Sequence, residues 1–192
     1  LTVDPGVVVK FASGGELTIK GALYAVGEVL DPVVFTSYRD DRYGGDLNGD
    51  GYGSFPENGD WRRIYFNQAS GAACAMGHAV IRYGGSSDGA VYAYQTDFAI
   101  SNSVICNSAT NGIRSYGANL TLGGNEVFGN REDGIHLASS GSHTLTENRV
   151  YANFGDGIDV TGSATAAVDG GEIFANLGYG VRRTSSGAVS AV

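Results

Sequence analysis

The second half of the chain repeats itself every 22 to 23 residues. Four segments share a short apolar core and end in asparagine, namely NSVICN (102–107), NEVFGN (125–130), NRVYAN (148–153) and GEIFAN (171–176). A second marker follows each of them at nearly the same distance, as NGI (111–113), DGI (133–135), DGI (156–158) and YGV (179–181). A fixed period of this length indicates a repeat architecture, in which each unit stacks on its neighbours to bury a shared core.

Each repeat contains short alternating segments separated by glycine, asparagine and aspartate. This pattern predicts strands and turns, and it lacks the L-x-x-L-x-L frame of a leucine-rich repeat. We therefore predict an all-β fold, a parallel β-helix (solenoid) with three strands in each of roughly eight coils of about 23 residues. A chain of 192 residues is expected to form one domain over residues 1–192, with an insertion at about 38–60.

Alternation assigns the repeated positions to the inside or the outside of the coils. One predicted inner column consists of Val104, Val127, Val150 and Ile173, with the small residues Cys106, Gly129, Ala152 and Ala175 also inside. A second inner column consists of Ile113, Ile135, Ile158 and Val181. The predicted outward stripe is Ile105, Phe128, Tyr151 and Phe174. A ladder of side-chain amides between coils is predicted for Asn107, Asn130, Asn153 and Asn176.

The segment DLNGDGYGSFPENGD (46–60) carries the spacing D-x-N-x-D-G-x5-E of a calcium-binding loop. Calcium binds six to eight oxygen ligands, and Gly51 stands where such a loop turns sharply. The pattern assigns the ligands to Asp46, Asn48, Asp50, the carbonyl of Tyr52, and Glu57. Additional candidate ligands are Asp40, Asp41, Ser54 and Asp60. The flanking segments lack the periodicity of helices, so we predict a Ca²⁺ loop outside an EF-hand, with an ion-free surface loop as the alternative.

The composition excludes some classes of partner. A net charge of −8 argues against nucleic-acid binding, and no apolar run reaches the 18 residues that indicate a membrane-spanning helix. A calcium loop is most useful where free calcium is high, which predicts an extracellular or cell-surface location. The chain opens at Leu1, without Met or a signal peptide, and strand-like sequence stands at both ends. We therefore expect either continuation in a longer exported chain or end-to-end self-association. Cys74 and Cys106 are too few for a disulfide scaffold, and their pairing stays open.

The first 66 residues carry further recognisable segments, which are LTVDPGVVVKF (1–11), ELTIKGALYAVG (16–27), PVVFTS (32–37) and GDWRRIYF (59–66). With them the chain resembles the right-handed parallel β-helix repeat proteins of the pectate-lyase-like superfamily, in the secreted and cell-surface form of bacteria or archaea. Proteins of this kind often read GDWGGI where this chain has Arg62 and Arg63 after Trp61. The two arginines depart from that pattern.

The resemblance also raises an enzymatic function, because the superfamily includes pectate lyases, polygalacturonases and alginate epimerases. Such activity needs acids and bases clustered on one sheet face. The candidate catalytic residues are Arg114, His136, Asp159 and Arg182 in one outward column, with Asp133 and Asp156 in the adjoining turn. DGID (156–159) partly matches the polygalacturonase motif NTDGID, but the further aspartate pair and the G-H-G segment are absent.

Two functions follow from these patterns. The preferred one is a calcium-stabilised extracellular β-helix module with a structural, adhesive or assembly role, which includes binding of a polysaccharide. The alternative is a polysaccharide lyase, epimerase or hydrolase that acts on an acidic glycan. We favour the first because cross-strand ion pairs and turn chemistry also explain the charged column and its aspartates.

Overall fold

The computed structural model describes residues 1–69 and 74–191. Within these ranges the chain forms twenty-two short β-strands, which pair in parallel into three sheets. Consecutive strands belong to different sheets, so the chain passes once through each sheet in every coil. The prediction of an all-β parallel β-helix with about eight coils of about 23 residues is therefore confirmed.

The strands are assigned to the sheets as follows. The first sheet contains β1 (Thr2–Val3), β4 (Tyr24–Val26), β7 (Cys74–Gly77), β10 (Phe98–Ser101), β13 (Leu120–Gly123), β16 (Ser142–Thr146), β19 (Thr165–Asp169) and β22 (Ala188–Ala191). The second sheet contains β2 (Val8–Phe11), β5 (Val33–Ser37), β8 (Ala79–Arg82), β11 (Val104–Cys106), β14 (Glu126–Phe128), β17 (Arg149–Tyr151) and β20 (Glu172–Phe174). The third sheet contains β3 (Glu16–Ile19), β6 (Arg63–Asn67), β9 (Gly89–Tyr94), β12 (Asn111–Tyr116), β15 (Ile135–Ala138), β18 (Ile158–Val160) and β21 (Val181–Arg183).

The inner column of the third sheet has the predicted register. Ile113 pairs with Ile135, Ile135 with Ile158, and Ile158 with Val181. The three isoleucines are buried in the core, whereas Val181, on the edge strand of this sheet, is exposed. The regular spacing of apolar residues therefore places this column correctly.

The inner column of the second sheet is predicted correctly in three coils and wrongly in one. Val127 and Val150 are fully buried and Ile173 is half-buried, as expected. In β11, however, Ile105 pairs with Val127 and lies in the core, while Val104 pairs with Glu126. The turn from Cys106 to Ile113 is as long as the turn from Phe128 to Ile135, so the strand differs from the prediction by one position because Asn107 does not occupy the place of Asn130.

The same shift corrects the assignment of the small residues. Four equivalent residues have a left-handed backbone, so they form a corner of the coil and not its interior. They are Asn107 (φ 56°), Gly129 (φ 65°), Ala152 (φ 52°) and Ala175 (φ 52°). Ala152 and Ala175 are exposed. Cys106 is buried but pairs with Phe128 in the outward row. The outward stripe is confirmed without Ile105, because the ring of Tyr151 stacks on Phe128 at 5.1 Å and on Phe174 at 5.0 Å.

The amide ladder is confirmed for three of its four predicted members. The Asn130 side-chain Nδ2 donates to Asn153 Oδ1 at 2.8 Å, and Asn153 Nδ2 donates to Asn176 Oδ1 at 2.9 Å. Ser108 takes the place expected for Asn107, since its backbone N–H donates to Asn130 Oδ1 at 3.0 Å. The prediction for Asn107 is wrong because of the shifted register.

A second ladder, absent from the sequence prediction, runs at the other end of the same strands. Asn125 Nδ2 donates to Asn148 Oδ1 at 3.0 Å, and the Ser103 N–H donates to Asn125 Oδ1 at 3.1 Å. Both asparagines open their repeats, as the first letters of NEVFGN and NRVYAN. The two ladders satisfy backbone groups at the coil corners that the sheets leave unpaired.

The insertion occupies residues 38–62, between β5 and β6. Its start is attached to the coil by Asp40, which accepts a hydrogen bond from Thr36 Oγ1 at 2.6 Å. Its end is attached by Asp60, which accepts one from Ser37 Oγ at 2.6 Å. Trp61 is fully buried, with its ring 4.3 Å from that of Phe11. These contacts hold both ends of the insertion against one corner of the β-helix.

Candidate functional site

The predicted calcium loop, residues 46–57, is organised around the carboxylate of Asp46. This carboxylate accepts backbone N–H bonds from Gly49 at 2.7 Å, from Asp50 at 3.3 Å and from Gly51 at 2.8 Å. The N–H of Gly51 is the largest of the influences that lower the pKa of Asp46, because it stabilises the charged form. Gly51 has φ of +63°, a left-handed conformation that glycine adopts without steric cost.

Three carboxylates meet at this loop. Single oxygen atoms of Asp41, Asp46 and Asp50 all lie within 4.8 Å of one another. Ser54 joins the group, because Asn48 Nδ2 donates to its Oγ at 3.0 Å and the hydroxyl donates to Asp50 Oδ2. Like charges held this close repel one another unless a cation or protons compensate them.

Two buried oxygen atoms beside these carboxylates have no hydrogen-bond donor among the described residues. They are Asp41 Oδ1 and Asn48 Oδ1. Buried polar atoms in folded proteins almost always have a partner, so each of these oxygens requires an explanation. Carboxylate and amide oxygens are the hard ligands that Ca²⁺ prefers, and the donor set therefore suits this ion.

Three of the other predicted ligands, Glu57, Asp40 and Asp60, lie outside this group. Glu57 is exposed, its carboxylate is not part of the cluster, and its backbone N–H donates to Asp60 Oδ2 at 3.0 Å. The Tyr52 side chain is 89% exposed, and the prediction for this residue concerns its carbonyl. Asp40 and Asp60 bind hydroxyl groups of the coil. The structure thus brings Asp46 and Asp50 together as the spacing predicts, and adds Asp41 from outside the motif.

The six candidate catalytic residues do lie together, on the outer face of the third sheet. The charged column of Arg114, His136, Asp159 and Arg182 occupies paired positions on four successive strands. Asp159 is only 1% exposed, and Arg182 holds both of its oxygens, at 3.1 and 2.9 Å. The column borders a groove of about 480 Å³, which Asp133 and Asp156 also line.

Asp133 and Asp156 each serve two neighbours. One oxygen of each accepts a backbone N–H from the next coil, since Asp156 N donates to Asp133 Oδ1 and Tyr179 N donates to Asp156 Oδ1, both at 2.7 Å. The other oxygen of each aspartate faces the charged column. That of Asp133 lies 3.2 Å from His136 Nδ1, and that of Asp156 lies 2.6 Å from Arg182 Nε. Burial raises the pKa of Asp133, but the hydrogen bonds from His136 and Asp156 outweigh burial and hold it below its ordinary value.

Most charges in this groove are therefore paired within the protein. Arg114 binds Asp88 Oδ1 at 3.0 Å, a partner that the repeat pattern does not identify. His136 lines the groove with its Nδ1 directed to Asp133, and its Nε2 has no hydrogen-bond partner among the described residues. An imidazole oriented by a carboxylate is an arrangement that can accept a proton.

Comparison with known proteins identifies the fold family only. The sequence profile of a family described as "Right handed beta helix region" matches residues 63–191, which is more than half of the chain. Searches of curated proteins and of solved structures find no significant match. In the part of the chain that the structure describes, no helix is long and apolar enough to cross a membrane.

Proposed function

Since the chain belongs to the right-handed β-helix family, we propose that it is a calcium-stabilised extracellular module with a structural or adhesive role. One observation carries this proposal, namely the unpartnered buried oxygens of Asp41 and Asn48 beside the carboxylates of Asp46 and Asp50. These residues would hold Ca²⁺ in the insertion. Their arrangement supports the extracellular location, because a loop of this kind is filled where calcium is abundant.

Calcium would act on the stability of the folded chain. The ion supplies positive charge between carboxylates that otherwise repel, and the insertion that holds them is attached to the coil at Asp40 and Asp60. A ligand that binds only the native state adds RT ln(1 + [L]/Kd) to the free energy of unfolding. That term amounts to about 2.7 kcal/mol at a hundredfold excess of ligand over Kd.

Thermal unfolding with and without a calcium chelator tests the proposal. The Tm should fall on chelation and return when calcium is restored, and Asp50→Asn should remove the difference. Asp4→Asn is a matched control, because Asp4 is also an exposed aspartate but lies outside the insertion. An unchanged Tm in chelator, together with no metal by elemental analysis, would contradict the calcium site.

The groove beside the charged column supports a second candidate, a polysaccharide lyase, epimerase or hydrolase that acts on an acidic glycan. The observation in its favour is the pairing of His136 with Asp133 in a groove that Arg114 and Arg131 also line. His136 would be the base, and the arginines would bind the carboxylate of a uronate. The pairing of Arg182 with Asp156 and Asp159 favours the structural role, because this arginine is already neutralised.

Activity is measured with pectate, polygalacturonate and alginate in the presence of calcium. Unsaturated products are followed by absorbance, and new reducing ends by a colorimetric assay. A lyase or a hydrolase should produce at least one of the two signals and lose it in His136→Ala. An epimerase cleaves no glycosidic bond, so its activity is followed by proton NMR of the uronate residues. The absence of all three signals with all three polymers would eliminate this candidate.

A further inference from the structure

A cavity of about 330 Å³ lies between the insertion and the coil, outside the groove of the charged column. Its size is within the range of small-molecule sites in proteins. We propose that this cavity binds one pyranose ring of a glycan, and that the binding depends on the calcium loop. The inference rests on the proposed function, because the loop that holds the ion also forms the wall of the cavity.

The walls of the cavity are aromatic. Tyr52 and Phe55 line it from the insertion, and Tyr83, which directly follows β8, lines it from the coil. Tyr52 is 89% exposed and Phe55 is 68% exposed, although side chains of this size normally bury most of their surface. Two neighbouring exposed rings on one loop indicate a surface that another molecule covers. The flat face of a pyranose ring, with its C–H groups, can stack on such rings.

The floor of the cavity is polar and incompletely satisfied. Asp40 lines it and is fully buried, with Oδ2 bound to Thr36 and 3.6 Å from Arg82 Nε. Its Oδ1 has no hydrogen-bond partner among the described residues, and neither has Arg82 Nε. A carboxylate is an acceptor for a sugar hydroxyl group, and Asp41, which is half-buried, adds a second carboxylate to the lining.

Two arginines line the cavity together with two aspartates. The guanidinium groups of Arg39, which also binds Asp60, and of Arg42 are donors from which a sugar oxygen could accept. The lining thus offers an acceptor, donors and aromatic faces together. A ring that carries several hydroxyl groups is the ligand class that matches all three.

The cavity and the ion site share residues. Asp41 lines the cavity and also belongs to the carboxylate cluster, and Ser54 lines it while bound to Asn48 and Asp50. Phe55 directly follows Ser54 in the chain. Calcium that fixes the loop would therefore fix the aromatic wall, so calcium and sugar should each increase the affinity of the other.

The test uses the full chain with calcium and the methyl glycosides of glucose, galactose, mannose and N-acetylglucosamine as probes. Saturation-transfer NMR detects binding, and calorimetry gives Kd. We expect at least one glycoside to bind in calcium and to lose binding in chelator. Tyr52→Ala and Phe55→Ala should each raise Kd by about tenfold or more. Tyr24→Ala is the control, because Tyr24 is 54% exposed but lies on β4, away from the cavity.

The outcomes separate this inference from the proposed function. If calorimetry shows calcium binding but no glycoside binds, the sugar site is overturned and the calcium-stabilised module stands. If neither calcium nor a glycoside binds, both fail. If a glycoside binds but is lost in His136→Ala and not in Phe55→Ala, the sugar occupies the groove and the inference is wrong. Binding that is unchanged in chelator would overturn the dependence on calcium.

Discussion

Replacement of Asn153 by alanine measures how strongly the amide ladder holds the coils together. Asn153 is 2% exposed. Its Nδ2 donates to Asn176 Oδ1 and to the Val127 carbonyl, at 2.9 and 3.2 Å. Its Oδ1 accepts from the backbone and side-chain nitrogens of Asn130, at 3.2 and 2.8 Å. Asn153→Ala therefore removes four hydrogen bonds and leaves two buried donors of Asn130 without this acceptor.

The expected loss of stability follows from those two donors. A buried group without a partner costs about 1–2 kcal/mol here, so Asn153→Ala should lower the free energy of unfolding by about 2–4 kcal/mol. For a chain of this length each kcal/mol corresponds to roughly 2–4 °C in Tm, so the Tm should fall by about 5–15 °C. Circular dichroism during thermal and urea unfolding provides both values.

The control is Asn107→Gly, which also removes a repeated asparagine. If the four asparagines were equivalent, this change would cost as much as Asn153→Ala. In the structure Asn107 has φ of 56° and corresponds to Gly129, with φ of 65°, so glycine should replace it with little change in stability. Equal destabilisation by the two variants, or an Asn153→Ala variant within about 0.5 kcal/mol of the parent, would refute the ladder as described.

Three buried side chains give two further predictions. Burial lowers the pKa of His143 from 6.5 to about 4, so the unfolded chain takes up a proton before the folded chain as pH falls. The urea concentration at the midpoint of unfolding should therefore decrease as the pH is lowered from about 6.5 to about 4. His143→Asn should make this decrease smaller, because the asparagine side-chain oxygen can still accept from the Leu120 N–H but does not titrate. Burial raises the pKa of Cys106 to about 11, and Cys74 is a second buried free thiol. Neither should react with a thiol-specific disulfide reagent at about pH 8 until the chain unfolds, and rapid labelling of the folded chain would contradict this burial.

The fold was predictable from the sequence because the residues that specify its strands and turns recur at a fixed spacing. Alternating apolar residues and recurrent turn residues locate the strands, and the 23-residue step locates their neighbours, as the column from Ile113 to Ile158 illustrates. The error at β11 arose because the repeats were aligned on asparagine. The sequence itself indicates that Asn107 is not equivalent to Asn130. The next marker, Asn111, stands four positions after Asn107, whereas Asp133 stands three positions after Asn130.

The candidate sites were predictable only where they are local or periodic. Asp46 and Asp50 come together through the spacing of one short motif, and the charged column through the repeat. Asp41 is one of four additional candidates that stand in or near the motif in the sequence, and only the fold of the insertion distinguishes it from Asp40 and Asp60. Asp88 binds Arg114 from the turn before β9, where the sequence has no repeated marker, so spacing alone could not identify it.

The position of the insertion, at one corner of the coil, makes the fold an extensible scaffold. β5 and β6 flank it, yet they pair with β8 and β9 as regularly as strands joined by short turns. Coils contact mainly their neighbours, and the entropy of closing a loop grows slowly with its length, so additional residues at a corner hardly disturb the stack. The equivalent corners, at residues 83–88 and 107–110, are therefore positions where a new loop can be grafted. In such a solenoid the stacked strands and the loops at the corners can therefore change independently in evolution.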